Sequence, residues 1–456
     1  MTTIPIVSDT RSAHRSGLLR VLGLSFGLAV VVGGTIGVSI FRLPGSVAAL
    51  LGSAPLIIAV WLAGGIYTLL SANYTSELAA MLPKAGGPYV YARRAYGDYA
   101  GFVVGWSGWL GDTAALAFMP IAFGEFATAL LGVTFTGSVT IFAISILLTL
   151  TALNWIGVRQ GSGTQQIVSL LKAVGLLGFV VLCFAAAETN GAANVGQTVL
   201  PAPLSTTGLL SAVVLSFQLV VGAYGGWNSV VFFAEEDTNP SRNIPRSLHG
   251  GVLLVIVLYL LVNLALLYVL TLPQLAGSQL AAATAMTALF GSGGGKIVTA
   301  LALLSTIGVI NAVMMFVPRT LYGLGRDGLF TSRALRVNRG GTPVFAMVVG
   351  VTASTILITI GTFETLMAIY AFFAVANNIM LVGALFVLRK REPDLPRPFR
   401  AFGYPFAPLA LLVISIAFFV GYILSDTRNS LFALGVLALS YPLFRLSRPR
   451  AARGVT

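Results

Sequence analysis

Two glycine-rich stretches carry the chemistry of this sequence: GGTIGVSIF from Gly33 to Phe41 and GAYGGWN from Gly222 to Asn228, each inside a long apolar run. Glycine in the middle of an apolar helix lowers helix propensity and allows backbone conformations that other residues resist. A helix unwound at such a point leaves N–H and C=O groups without intrahelical partners, which is tolerated only where they line a cavity or meet a ligand. A zwitterion supplies both kinds of partner. Its carboxylate suits N–H groups at the positive end of a half-helix, and its ammonium suits free carbonyls at a half-helix C-terminus. The plainer alternative is close helix packing through small residues; two clusters at matched positions favour unwinding.

Two ionisable side chains sit deep in other apolar runs. Lys172 lies about eight residues into the fifth run, roughly 12 Å at about 1.5 Å per residue. A buried ammonium is costly and must find acceptors or snorkel to the interface. Asp112 lies about thirteen residues into the third run, near mid-membrane. A proton site, a contact for a substrate amine and a structural partner are all open for it. Glu77, Glu235 and Glu236 fall near helix ends, where pairing with basic loops such as Arg242, Arg246 and Arg326 is expected. Tyr224 and Trp227 follow the second glycine cluster and are candidates to line a route, and Asn228 and Asn311 are candidate cross-links between helices.

Other chemistries lack their residues. The histidines are His14 and His249, Cys183 is the single cysteine, and no HExxH or cysteine cluster is present. An intramembrane enzyme, a metal centre and an internal disulfide therefore have no residues to build them, and no cofactor is expected. A channel needs a continuous polar lining rather than two isolated breaks.

The elements that hold these residues are membrane helices. Of 456 residues 57% are hydrophobic and only 9% charged, against about 25% charged in soluble domains. Runs of about 20 apolar residues, enough to cross the hydrocarbon, occur near 20–43, 54–80, 99–131, 138–156, 164–186, 208–235, 247–271, 296–323, 342–361, 364–388, 405–425 and 429–446. The expected fold is an all-α membrane protein of twelve transmembrane helices. Counted from 20 and from 208, Gly34 and Gly222 each lie fourteen residues in. The breaks thus occupy matching places in two blocks of five helices, 20–186 and 208–388, within a core of 20–388. Five is odd, so the second block enters from the opposite side and the repeat is inverted. Helices eleven and twelve, 405–446, follow, with tails at 1–19 and 447–456. Nothing in the first 19 residues suggests a cleaved signal peptide.

Alternating from a cytoplasmic N-terminus, Arg42, Lys296 and Arg428 fall outside and Lys172 and Arg319 within helices; the remaining 22 (27 − 5) Lys and Arg fall inside. That asymmetry supports the count and a multi-pass cell-membrane protein with both termini cytoplasmic. It also accounts for the net charge of +13 without nucleic acid, through contact with anionic lipid. A partner subunit and the oligomeric state cannot be read from these residues.

With these residues in hand, the chain resembles the amino acid, polyamine and organocation transporter superfamily, especially its L-type amino acid transporter branch and bacterial permeases. Beyond the two breaks the resemblance rests on SELAAMLPKAGGPYVYARRAYG, AEEDTNPSRNIPRSL, RTLYGLGRDGLF and LRKREPDLPRPFRAFGYP, in order along nearly the whole chain. The resemblance implies discontinuous helices 1 and 6 and secondary transport of amino acids. It places the substrate carboxylate at amides of Gly37, Val38 and Ser39, and the amino group at carbonyls of Thr35, Gly222 and Gly225. Ile36, Ala223 and Tyr224 complete that lining. It also implies that the Lys172 ammonium occupies the space of a sodium ion, giving sodium-independent proton symport or exchange, with polyamine or other organic amine transport as the alternative. Two positions depart from the pattern. Ser39 replaces a glycine of the first break, and Gly222 stands where relatives often place a bulky aromatic, which implies a roomier pocket.

Overall fold

A computed structural model describes residues 18–133, 135–186 and 206–447. Residues 1–17 of the first tail, 448–456 of the second and the 187–205 connection lie outside the described residues. Throughout, long apolar sequences form helices because every backbone group must be satisfied within its own segment in lipid.

The first span is a bent pair, α1 (Leu24–Thr35) and α2 (Ser39–Leu51), meeting at 42°. It continues eight residues past the expected end at 43, because Pro44 and Gly45 are absorbed within α2. There follow α3 (Ala54–Met81), the short α4 (Pro88–Tyr96), α5 (Asp98–Leu131), α6 (Ser138–Ile156) and α7 (Val158–Ala186). The sixth span is α8 (Thr206–Ala223), a turn, and a 3₁₀ helix at Trp227–Phe233. After it come α9 (Pro240–Val269), α10 (Leu272–Ala276), α11 (Ala281–Arg326), α12 (Val344–Ile360), α13 (Phe363–Arg391), α14 (Phe406–Ser425), α15 (Thr427–Ala438) and α16 (Ser440–Ser447). Among the described residues ten helices are long and apolar enough to cross a membrane, eleven with the bent pair; α12, also apolar, is 17 residues long.

Other elements also differ from the hydropathy reading, among them the seventh span, which begins at Pro240 rather than 247. The fifth span begins at Val158 rather than 164, because a polar start (Arg159, Gln160) is still helical. The eighth begins at Ala281 rather than 296 and is kinked at Gly291. The amphipathic α4, with Arg93 and Arg94 in its last turn, has no 20-residue apolar run to announce it.

α5 packs against α11, α13 and α6, while α1 packs on α9 and α7, and α3 on α9. Two charge clusters mark one end of the bundle, the basic face. Glu77 of α3 is buried and pairs with Arg389 at 2.5 Å and Arg397 at 3.3 Å. Glu236 is buried against Arg319 of α11, and Glu235 meets Arg326 at 2.7 Å. Of the basic residues expected beside these acids, Arg326 is used, but Arg242 and Arg246 are not the partners. The ion pairs come instead from α11, α13 and the segment after it, which is a matter of tertiary packing that chain order hides.

Candidate substrate site

The two broken spans meet each other. Ile36, Gly37 and Val38 separate α1 from α2. Tyr224, Gly225 and Gly226 form the turn after α8, so Gly222 and Ala223 belong to the last helical turn and the break lies slightly later than expected. Gly226 adopts φ +90, a left-handed conformation that favours glycine, and a Cβ added there collides with the Gly34 carbonyl oxygen. At the basic face the same two spans are stitched by backbone bonds, Leu22 N–H to Glu236 O at 3.0 Å and Thr238 N–H to Leu22 O at 2.9 Å.

Unwinding leaves donors and acceptors with different fates. Among the described residues nothing accepts from the amides of Gly37, Val38, Ser39 and Ile40; these form the N-terminal end of α2, where a helix has orphan donors and positive potential. The carbonyls are partly engaged. Tyr259 of α9 donates its hydroxyl toward both Thr35 O at 3.0 Å and Ala223 O at 3.1 Å, tying the two breaks together. Gly222 O accepts from Gly225 N–H at 3.0 Å. Each of these carbonyls keeps a second lone pair for a ligand. Tyr259 was missed from the sequence; the available signal was a tyrosine and Asn263 one turn apart in an otherwise apolar run.

Lys172 lies fourteen residues into α7 (172 − 158), about 21 Å along the axis at about 1.5 Å per residue, deeper than expected because α7 starts earlier. It is fully buried, and its Nζ donates to Gly33 O at 2.6 Å, Ile36 O at 2.7 Å and Ser305 O at 3.2 Å. Three carbonyls around one nitrogen match the three N–H groups of an ammonium. The lysine thus joins α7 to the first break and to α11 rather than snorkelling.

The other candidates divide. Tyr224 is buried, donates its hydroxyl to Trp61 O at 3.2 Å and packs against Trp61 and Tyr259, so it is a packing residue and not part of an open route. Trp227 and Asn228 are half-buried. Asn311 is the cross-link expected of it: it accepts from Asn154 at 2.8 Å and donates to Gln165 Oε1 at 2.9 Å, joining α6, α7 and α11. Gly222 is exposed, and a Cβ built on it meets nothing within 4 Å. Asp112 is half-buried on α5. Groups of His, Cys, Asp and Glu that could hold a metal ion are absent among the described residues.

The sequence matches the amino acid permease family model over residues 17–441. The chain belongs to the amino acid permease family. This permease is 28% identical to the serine/threonine exchanger SteT of Bacillus subtilis (strain 168) over 444 residues, 96% of this chain and 99% of that one. It is 28% identical to the mouse b(0,+)-type amino acid transporter 1 over 437 residues, 92% of this chain and 86% of the relative. It is 27% identical to the human Asc-type amino acid transporter 1 over 474 residues, 98% and 86% of the two chains. The matches agree with the superfamily and branch inferred from the motifs. The permease is a multi-pass membrane transporter of amino acids and not an enzyme.

Proposed function

We propose that the permease moves L-amino acids across the cytoplasmic membrane without sodium, by alternating access, as an exchanger. The observation that carries this is the Lys172 ammonium on three carbonyls at the first break. A fixed cation there fills the place a mobile one would need, so the break keeps its charge balance through the whole cycle. The free amides of residues 37–40 hold the substrate carboxylate, and carbonyls of Thr35, Gly222 and Gly225 hold its ammonium. Ile36, Ala223 and Tyr224 back that site. A neutral side chain then needs only an apolar pocket, which the missing aromatic at Gly222 leaves wide.

Exchange is supported by the relative named a serine/threonine exchanger. The basic face lies in the cytoplasm by the distribution of Lys and Arg, with both termini on that side, and residues 20–186 and 208–388 form inverted halves that rock about the breaks. Purified permease in liposomes tests this. Labelled alanine uptake is expected to be equal in sodium and choline buffers and to require unlabelled amino acid inside. Uptake that needs sodium, or runs into empty liposomes on a proton gradient alone, contradicts the sodium-free exchange reading. Uptake of a diamine but not of alanine assigns the fold to organic amines instead.

A further inference from the structure

Asp112 differs from the acids at the basic face. Glu77, Glu235 and Glu236 each pair with an arginine, and Asp237 accepts from Asn243 at 2.7 Å. Among the described residues nothing donates to the Asp112 carboxylate, although it lies fourteen residues into the 34-residue α5 (112 − 98). A carboxylate at that depth without a partner is expensive, and such residues in membrane helices face the interior or a hollow.

The face of α5 that carries it is identifiable. A Cβ built on Gly105 would lie 3.1 Å from Leu324 of α11, and one built on Gly111 would lie 3.4 and 3.8 Å from Phe373 and Tyr370 of α13. At 100° per residue Asp112 projects between these two neighbours, along with Gly108, Met119 and Phe123, all half-buried. On α13, which packs against α5, Ala374 is exposed. Three of its helix-face neighbours touch protein: Asn377 accepts from Ser107, Asn378 contacts Tyr67 and Ser415, and Tyr370 packs on Phe118. Tyr370 connects this part of α5 to the breaks: its hydroxyl lies 3.5 Å from a Cβ built on Gly225, and its Cα lies 3.8 Å from a Cβ built on Gly111, the residue before Asp112.

We propose that Asp112 is the side-chain anchor of the substrate pocket, extending the cargo range to amino acids whose side chain ends in a cation, lysine and ornithine among them. The proposal rests on the reading that the breaks hold the amino acid backbone. With the backbone of the cargo fixed there, a flexible four-carbon stem carries the lysine ammonium away from the breaks toward α5. The carboxylate then exchanges an unpartnered state for a charge-assisted hydrogen bond. An apolar side chain of similar length leaves it unpaired.

The test is competition in reconstituted full-length permease, with lysine, its neutral length-match norleucine, and labelled alanine as reporter. In the wild type lysine is expected to compete at least as well as norleucine. In Asp112→Asn the ratio of lysine to norleucine affinity is expected to fall by about tenfold or more, as loss of a hydrogen bond to a charged group implies, and Asp112→Glu restores it in part. Thermal stabilisation of each variant by norleucine controls for folding. Wild-type permease that takes norleucine and ignores lysine overturns the anchor while leaving backbone capture intact. So does an Asp112→Asn variant whose affinity ratio is unchanged, including one that loses proton-dependent uptake of both. Wild-type permease that binds no amino acid overturns the functional reading itself.

Discussion

The Tyr259 hydroxyl lies 3.0 Å from the Thr35 carbonyl oxygen, and through the same hydroxyl the first break is tied to Ala223 at the second. The ends of two half-helices are thus held by one phenol on α9, flanked by Trp61 and Tyr224 rings.

Tyr259→Phe keeps the ring and removes that tie. Two buried carbonyls lose a donor, at a cost of about 1–3 kcal/mol, and the carbonyl expected to face the substrate ammonium is no longer held in place. The KM for alanine is expected to rise more than the maximal rate falls, in uptake by proteoliposomes. A thermal destabilisation with an unchanged KM assigns Tyr259 to packing alone.

Gly222 is predicted to tolerate a large side chain, since nothing stands within 4 Å of its Cβ position. Gly222→Phe is expected to unfold at the wild-type temperature while uptake shifts toward glycine and alanine. A wild-type preference for glycine and alanine over large residues contradicts the roomy pocket.

Glu236 and Arg319 form a buried pair, with Arg319 also over the Phe233 ring at 4.4 Å. Breaking it from one side strands a charge, so Glu236→Leu or Arg319→Met alone is expected to cost about 3–5 kcal/mol. Glu236→Leu with Arg319→Met recovers most of that. Thermal unfolding of the four proteins measures the coupling, and additive losses contradict it.

Asp327 caps the basic end of α11 and joins α4 to it, 2.9 Å from Arg93 and bonded by the Tyr89 hydroxyl at 2.5 Å. Burial alone raises its pKa, but the Tyr89 hydrogen bond and the charges of Arg326 and Arg93 outweigh it and hold it below the usual 3.8. A folded pKa below the unfolded one stabilises above the unfolded value and is lost as pH falls through the folded one. Asp327→Asn is therefore expected to be less stable at neutral pH, with the gap closing below pH about 3.8. A gap that stays constant into acid contradicts the linkage.

Much of this was legible in the sequence because lipid forces helix on any long apolar run, so span limits such as 54–80 and 138–156 lie within a residue of α3 and α6. The breaks were legible because two glycine clusters fall at matching depths of two apolar runs. What stayed hidden depends on contacts between distant segments. The partners of Glu77 lie 312 and more residues away, and the role of Tyr259 appears only when α9 lies across both breaks. Lys172 was expected at the first break by resemblance; its third acceptor, Ser305 of α11, was not. α4 escaped because its helix is amphipathic and short.

The central claim is that freed backbone groups at the two breaks hold both charged ends of an amino acid. Competition against labelled alanine uptake tests it most directly, using alanine, alaninamide, which lacks the carboxylate, and propionate, which lacks the ammonium. The account predicts that alanine competes and that neither analogue does at concentrations many times higher. Alaninamide or propionate competing as well as alanine contradicts it.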